Sequence, residues 1–181
     1  MMIDLSKPHS SLVRVVKKAN EETAIYQVGD EVFRSTPEKK SRVQMINRFN
    51  PHACEAFFGN KVILVEGDTE AIVFRDLIGR FYPKHEIYVL NTGSKLNIAF
   101  FQEILTAFHI EHYVIHDADN RRDKNGDVNN VWTANKSIWS KIEAANAKTP
   151  GLATRYVMVG NFESAHTKSA KSLKGKPLAA Y

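Results

Sequence analysis

Short runs of apolar residues alternate with amphipathic stretches over the second half of this chain. Residues 62–65 are four consecutive apolar residues, which predicts a strand that is buried on both faces. The following segment, 69–82, places Phe74, Leu77, Ile78 and Phe81 at helical spacing and ends before a proline. We therefore predict a strand followed directly by an amphipathic helix, with Asp68 or Thr69 as the helix N-cap.

The same alternation continues to residue 159. Apolar runs predict strands over 87–90, 113–115 and 156–159, and helical periodicity predicts helices over 95–108 and 131–147. Strands that alternate with helices across short joints are typical of a parallel sheet with helices on its faces. The predicted fold class is α/β, with a sheet of about four parallel strands flanked by helices.

The first 58 residues have a different pattern. Short strands are predicted over 11–17, 24–28 and 31–34, and helices over 36–49 and 51–58. Gly59 occupies the C′ position, directly after the second helix. This stretch contains little apolar material. We interpret it as a small N-terminal β/helical appendage.

Acidic residues follow three of the four predicted strands. Glu66 and Glu70 follow the first, Asp117 and Asp119 follow the third, and Glu163 follows the fourth. The carboxyl ends of parallel strands meet at one edge of a sheet, where open α/β sheets bind ligands. Carboxylates that gather there repel one another unless a cation neutralises them, and their oxygens suit Mg²⁺ or Mn²⁺. An extended Asp-x-Asp would direct both aspartates to the same face.

Other types of site have weaker support in the sequence. The segment 123–127 has Asp, Asn and Gly, but the glycine is misplaced for an EF-hand loop and the closing glutamate is missing. His109, His112 and His116 do not share one face of one predicted element, which favours structural or solvated histidines over a zinc site. No glycine-rich phosphate loop of the Walker or dinucleotide type is present, and no Gly-x-Ser-x-Gly motif supports a serine hydrolase.

Composition narrows the class further. The length of 181 residues fits one domain with an appendage, and the single cysteine, Cys54, excludes an internal disulfide. The sequence has no signal-peptide pattern and no apolar run long enough to cross a membrane, so we expect a cytoplasmic protein. The net charge is +5. Six basic residues and one acid, Glu163, follow position 147, so this tail carries the whole net charge. Such a tail serves solubility or binds a phosphate backbone.

These motifs together resemble a known family. The sequence from Leu64 to Glu70 (LVEGDTE), followed by His116 to Asp119 (HDAD) and an acid after a fourth strand, resembles a Toprim domain. The finer pattern, with Gly93, Ser94, Lys95 and Asn97 in a loop, is similar to nucleases of the overcoming lysogenization defect (OLD) family.

The resemblance implies a Toprim nuclease domain over 59–181, with 1–58 as a segment that connects it to an N-terminal ABC-type ATPase domain, through which the protein could form a homo-oligomer. The implied metal ligands are Glu66, Glu70, Asp117, Asp119 and Glu163. Glu66 is also the implied general acid or base, and Lys176 or Lys174 the implied transition-state lysine.

The function that these expectations favour is a DNA endonuclease with two Mg²⁺ or Mn²⁺ ions, for which Ca²⁺ could substitute without supporting catalysis. The residues expected to hold the DNA backbone are Lys95, Arg121, Arg122 and Lys171. The segment 160–163 departs from some relatives, in which another acid or a serine often precedes the glutamate, and Asn161 could supply only a neutral oxygen. This leaves the second ion's ligands open. Two alternatives remain: a non-catalytic Toprim-like module that binds nucleic acid or serves assembly, and a fragment of a topoisomerase or primase.

Overall fold

The computed structural model describes residues 13–28, 51–159 and Phe162. Its central element is a four-stranded, wholly parallel sheet with the order β4-β3-β5-β6. The strands are β3 (Lys61–Val65), β4 (Ile87–Asn91), β5 (Glu111–Asp117) and β6 (Ala153–Met158). A parallel sheet flanked by helices was predicted, and the structure confirms this fold class.

Three long helices connect these strands: α2 (Asp68–Phe81), α3 (Lys95–Ala107) and α4 (Asn130–Lys148). Helices α3 and α4 pack against each other on one face of the sheet, whereas α2 covers the other face. The alternation along β3 explains this arrangement, because Val62 and Leu64 belong to the α3/α4 core while Ile63 and Val65 face α2.

The described part of the N-terminal segment is packed onto this unit. An antiparallel hairpin pairs β1 (Val13–Lys17) with β2 (Thr23–Gln27), and a short helix α1 (Pro51–Glu55) continues into a 3₁₀ turn, Ala56–Phe58. Ala53, Ala56 and Phe57 are buried in the α3/α4 core, as is Val28 after the hairpin. The predicted helix 36–49 and strand 31–34 lie outside the described residues. The boundary at residue 58 stays a prediction.

One arginine and one aromatic pair attach the hairpin to the sheet unit. The Arg14 guanidinium donates to the carbonyls of Phe108 and Gly59, at 3.2 and 2.9 Å, and Tyr26 stacks on His109 with ring centroids 5.0 Å apart. The opposite face of the hairpin leaves Val15 and Ile25 largely exposed.

Several predicted boundaries differ from the structure. Strand β5 begins two residues earlier than predicted and extends through Asp117, and β6 lies at Ala153–Met158 instead of 156–159. The N-cap of α2 is Gly67, and neither Asp68 nor Thr69, which lie inside the helix, caps it. Gly59 follows a 3₁₀ turn with an extended backbone, so it is not the left-handed helix terminator that a glycine at this place suggested.

Candidate metal and phosphate site

The connections of the sheet create a crevice at the carboxyl ends of β3 and β5. The chain leaves β3 toward its neighbour β4 through α2, on one face, and leaves β5 toward β6 through α4, on the other face. The two connections therefore diverge, and the ends of adjacent strands between them are left uncovered. Glu66 directly follows β3 and Asp117 ends β5, so two of the predicted acids lie at this crevice.

A direct hydrogen bond joins these two strand ends. The backbone N–H of Asp117 donates to Oε1 of Glu66 at 2.8 Å. The structure therefore brings together residues that are 51 positions apart in the sequence. We predicted that these two strand ends share one edge of the sheet; that Glu66 and Asp117 are metal ligands stays a prediction.

The environment of Glu66 opposes its negative charge. Burial, followed by the charges of Asp117 and Asp119, raises the pKa of Glu66 from 4.5 to about 7, although the hydrogen bond from Asp117 and the charge of Lys95 act in the opposite direction. A carboxyl group with this pKa can hold or release a proton near neutral pH. A bound cation would favour its charged form.

The ammonium group of Lys95 lies inside this acidic cluster. Its Nζ is 2.5 Å from Oδ2 of Asp119 and 2.5 Å from the carbonyl oxygen of Asp117, and its side chain is 1% exposed. We predicted that Lys95 holds the DNA backbone. In the structure its side chain is buried against Asp119 and leaves no free surface for a phosphate in this conformation.

Three side chains from three elements hold the backbone between Asp117 and Asp119. The carbonyl of Asp117 accepts from both Lys95 and Nδ1 of His116, the latter at 2.7 Å. The amide of Asn135, on α4, donates to the carbonyl of Ala118 at 2.8 Å. These contacts fix a turn in which Asp119 has a left-handed φ of 58°. The extended Asp-x-Asp geometry that we predicted is therefore wrong, because strand β5 ends at Asp117 and Asp119 lies in the turn that follows.

The start of α2 brings further acids near the crevice. Gly67 is extended, and a carboxylate oxygen of Glu70 would lie 3.3 Å from a Cβ atom added there, so the Glu70 side chain folds back over the N-terminus of the helix. Asp68, to which the sequence analysis gave no site role, accepts from the side-chain amide of Asn91 at 2.7 Å. This hydrogen bond links the first residue of α2 to the last residue of β4.

The loop that contains Lys95 is also fixed. Thr92 donates through its backbone and its hydroxyl to the carbonyl of Val65, at 3.0 and 2.8 Å, and Asn97 returns a hydrogen bond to the carbonyl of Thr92. Gly93 takes a positive φ of 70°, and Ser94 caps α3 by accepting from the N–H of Leu96. The Gly-Ser-Lys loop therefore aims the first side chain of α3 at the end of β5.

The polar loop after Asp119 presents the two predicted DNA-binding arginines on the surface. Arg121 lies over the ring of Trp132, 5.4 Å from its centroid, and Arg122 donates to the carbonyl of Gly126 within its own turn. The carboxylate of Asp123 accepts from the N–H groups of Asn125 and Asp127, so this acid closes the turn. Whether the arginines contact DNA stays a prediction.

The histidines that we considered for zinc have separate surroundings. His112 and His116 are buried on β5 beneath α3 and α4, and His109 stacks on the hairpin. Burial lowers the pKa of His112, and it lowers that of His116 to about 4. Since Nδ1 of His116 donates to a carbonyl, its Nε2 carries no proton in the neutral ring, and it has no hydrogen-bond partner among residues 13–28 and 51–159.

The remaining predicted site residues, Glu163, Lys171, Lys174 and Lys176, lie outside the described residues. Their neighbour Phe162 is buried next to Phe74 of α2, with ring centroids 6.1 Å apart. Within the described part of the chain, no group of three or more His, Cys, Asp or Glu side chains is arranged to hold a metal ion.

The donor chemistry nevertheless fits a hard divalent cation. Mg²⁺ commonly binds through one or two carboxylates and completes its coordination with water and phosphate oxygens. Glu66 and Asp117 lie at the ends of adjacent strands of one crevice, where a hydrogen bond joins the two residues. Two carboxylates thus fit one ion that also binds a phosphate, without a closed protein cage.

The comparisons with known proteins agree with this arrangement. Residues 57–119 match the family model described as overcoming lysogenization defect protein-like, TOPRIM domain. The match begins just before β3 and ends at Asp119, so it covers the crevice with Glu66, Lys95 and Asp117. The search among curated proteins gave no match. Among the described helices, none is both long enough and apolar enough to span a membrane.

Proposed function

We propose that this chain, whose residues 57–119 match the TOPRIM-domain model of the OLD-like family, is a divalent-metal-dependent endonuclease that cleaves phosphodiester bonds in DNA. Toprim domains commonly belong to metal-dependent nucleic-acid enzymes, which include nucleases, primases and topoisomerases. The observation that carries the nuclease proposal is the contact between Glu66 and Asp117 in the crevice at the carboxyl ends of β3 and β5.

The chain's own residues have distinct parts in this proposal. Glu66 and Asp117 would hold a Mg²⁺ or Mn²⁺ ion, which when bound supplies charge stabilisation for the phosphate and a more acidic water. The family resemblance also implies that Glu66 accepts or returns a proton during hydrolysis. Arg121 and Arg122 would position the DNA backbone without reading its sequence, since phosphates carry no base information.

The finer parts of the sequence-based hypothesis stay proposals. Lys176 or Lys174 would stabilise the extra charge of the transition state, and Lys171 would contact DNA. A second ion would need Glu163 or Glu70 in addition to the Glu66–Asp117 pair. The proposed partner domain is an N-terminal ABC-type ATPase, through which the full protein could assemble.

A nicking assay tests the proposal directly. Supercoiled plasmid is incubated with the wild-type chain in Mg²⁺, in Mn²⁺ and in EDTA, and the conversion to open-circular DNA is measured. We expect cleavage with either ion and none in EDTA. Asp117→Ala should reduce the rate by about 100-fold or more, because even residues behind metal ligands typically contribute 10- to 100-fold.

A matched control is available on α2. Asp76 is a surface acid that pairs with Arg80 one turn away, at 2.8 Å, so Asp76→Ala removes the same charge away from the crevice and should leave the rate unchanged. Equal nicking by the wild type and by Asp117→Ala would refute the proposal.

One observation supports a rival function. Asp119 is already neutralised by Lys95, and the described residues assemble only a pair of acids for an ion. A non-catalytic module that binds DNA through the basic residues after position 147 is compatible with this arrangement. Plasmid binding without nicking in any divalent ion, together with unaltered binding by Asp117→Ala, would identify the rival.

A further inference from the structure

Both tryptophans of this chain lie on helix α4, and each one contacts an arginine. Trp132 and Trp139 are the two tryptophans in the sequence. The guanidinium carbon of Arg121 lies 5.4 Å from the centroid of the Trp132 ring, and that of Arg155, on β6, lies 5.6 Å from the centroid of the Trp139 ring. These distances are typical of cation–π contacts, so α4 carries two arginine–tryptophan stacks.

The two stacks lie along one flank of the helix. Seven residues separate Trp132 from Trp139, which is about two turns, so both lie on the same side of α4, about 10 Å apart along its axis. Lys136 lies between them, one turn from each, and is exposed, and Trp139 is 47% exposed. The residues of α4 that pack in the core are others: Ala134, Ile138, Ile142 and Ala145. We call Arg121, Trp132, Lys136, Trp139 and Arg155 the Arg–Trp surface.

The basic residues of the Arg–Trp surface have no carboxylate partner within residues 13–28 and 51–159. No ion pair there includes Arg121, Lys136 or Arg155, and Nε of Arg155 is buried without a hydrogen-bond partner. Lys141, on another flank of the same helix, does pair with Glu103. A guanidinium that stacks on a ring keeps its planar fork of N–H donors, which matches the oxygens of a phosphate.

The charge around this surface is positive. Residues 120–155 contain seven basic and three acidic residues, a net charge of +4, whereas residues 1–119 sum to −2. Helix α4 contains three lysines and one acid, Glu143, which lies one turn after Trp139. The surface therefore favours a polyanionic partner over a basic one.

The Arg–Trp surface leads away from the candidate metal and phosphate site. The first half of α4 is attached beside the crevice, because Asn135 donates to the carbonyl of Ala118. The last part of the helix is attached at the opposite edge of the sheet, where Asn146 exchanges two hydrogen bonds with Ala153 at the start of β6. A polymer that leaves the crevice along α4 meets Trp132 first and Trp139 two turns later.

Rings beside cations without partners fit unpaired DNA better than a duplex. The bases of a duplex stack on one another and present only their edges to a protein, whereas a single strand exposes the faces of its bases. Such faces stack on aromatic rings and on guanidinium planes, and a positive groove follows the backbone.

We propose that the Arg–Trp surface binds a single-stranded segment of DNA. The bases stack on the two arginine–tryptophan pairs, and the phosphates accept hydrogen bonds from Arg121, Lys136 and Arg155. The inference rests on the proposed function for the choice of DNA, and it names DNA with an unpaired segment as the substrate class.

Tryptophan fluorescence tests the proposal directly, because both tryptophans of the chain belong to this surface. The full 181-residue chain, in EDTA so that metal-dependent cleavage is prevented, is titrated with a single-stranded DNA oligonucleotide and with the duplex of the same sequence. Binding is followed in parallel by the anisotropy of labelled DNA. We expect the single strand to quench the fluorescence at saturation and the duplex to leave it nearly unchanged. Trp132→Phe and Trp139→Phe each leave one tryptophan, and both variants should still show quenching.

Substitution of Trp139 separates base stacking from attraction to phosphates. Trp139→Ala should raise the dissociation constant for the single strand about 10-fold, because one base loses its stacking partner, and change that for the duplex by less than about twofold. Trp139→Phe, which keeps a ring, should stay within about threefold of the wild type. Arg155→Gln should reduce the slope of log affinity against log salt by about 0.7, the value for one phosphate of a single strand.

The matched control is an exposed aromatic residue on the other side of the sheet. Phe81, at the end of α2, is 69% exposed, and Phe81→Ala should leave both dissociation constants unchanged. Circular dichroism checks that each variant is folded. A Trp139→Ala variant that is folded and binds the single strand as the wild type does would overturn the inference.

Two further results would also overturn the inference: a single strand that binds without quenching, or an RNA of the same sequence that binds more tightly than the DNA. These outcomes are distinguishable from failure of the proposed function, since binding is measured without a metal ion. Quenching by single-stranded DNA without plasmid nicking removes the nuclease proposal and keeps the role of the Arg–Trp surface, whereas nicking without quenching does the reverse.

Discussion

Replacing Glu66 with glutamine should make this protein more stable at alkaline pH, although it removes a residue of the candidate site. The carboxylate is held where burial and two neighbouring aspartates disfavour its charge. Glutamine has the same shape and can still accept the hydrogen bond from the Asp117 N–H. The substitution therefore removes the unfavourable charge and keeps the contact between β3 and β5.

The magnitude follows from the pKa of Glu66. A rise from 4.5 to about 7 corresponds to about 3 kcal/mol against the charged form. Because Glu66 is only partly buried, solvent screening reduces this figure to about 1–2 kcal/mol. Since the folded pKa lies above the unfolded one, the unfolded state loses its proton first, and the wild type loses this stability as pH rises from 4.5 to 7.

A histidine in the same region has the opposite pH dependence. Burial lowers the pKa of His116 from 6.5 to about 4, so the folded state loses stability as pH falls from 6.5 towards 4. The two effects partly cancel in the wild-type profile. They separate in the difference between the wild type and Glu66→Gln, because both proteins retain His116.

The assay is urea unfolding in EDTA, at pH values from 5 to 8, for both proteins. We expect the free energy of unfolding of Glu66→Gln to exceed that of the wild type by about 1–2 kcal/mol at pH 8, and by progressively less towards pH 5. Parallel profiles over this range would refute the reasoning, since they would mean that Glu66 titrates alike in the folded and unfolded states.

Three further predictions concern the supports of the site and the core. Asn135→Ala should lower the free energy of unfolding by about 1 kcal/mol and increase amide hydrogen exchange at 117–119, because it removes the hydrogen bond to Ala118. The control is Asn146→Ala, which loses two hydrogen bonds to Ala153 at the start of β6 and should leave exchange at 117–119 unchanged. Arg14→Ala should expose the segment 13–28 to proteolysis while the sheet unit stays resistant, and protection equal to wild type would show that Tyr26 and Val28 suffice to hold the hairpin. Ile138→Ala should lower the free energy of unfolding by about 2–5 kcal/mol, whereas the neighbouring Trp139→Ala, at an exposed position, should cost less; equal losses in urea titrations would contradict the assigned packing.

The sheet and its helices were predictable because their patterns are local. Four apolar residues in succession at 62–65 and helical spacing in 69–82 are properties of neighbouring residues, and the structure confirms both elements. Boundaries were less accurate where polar residues belong to an element. Glu111, His112 and Asp117 extend β5 beyond its apolar run because pairing with β3 and β6 satisfies their backbone groups.

The candidate site was predictable only to the level of its acids. Parallel strands place their carboxyl ends together, and this rule was sufficient to expect Glu66 near Asp117. The rule contains no information about the turn after β5. Asp119 takes a left-handed conformation because Lys95 and Asn135, from two helices distant in sequence, bind the turn there.

The sequence by itself determined the alternation of strands and helices, the parallel sheet, and the acids at its carboxyl edge, because each depends on residue type and short-range spacing. Only the tertiary structure decided that Lys95 is buried among those acids. In the sequence, Lys95 is one of many lysines. Its partner Asp119 is 24 residues away. The charge balance of the crevice depends on that long-range contact, and local sequence patterns do not contain it.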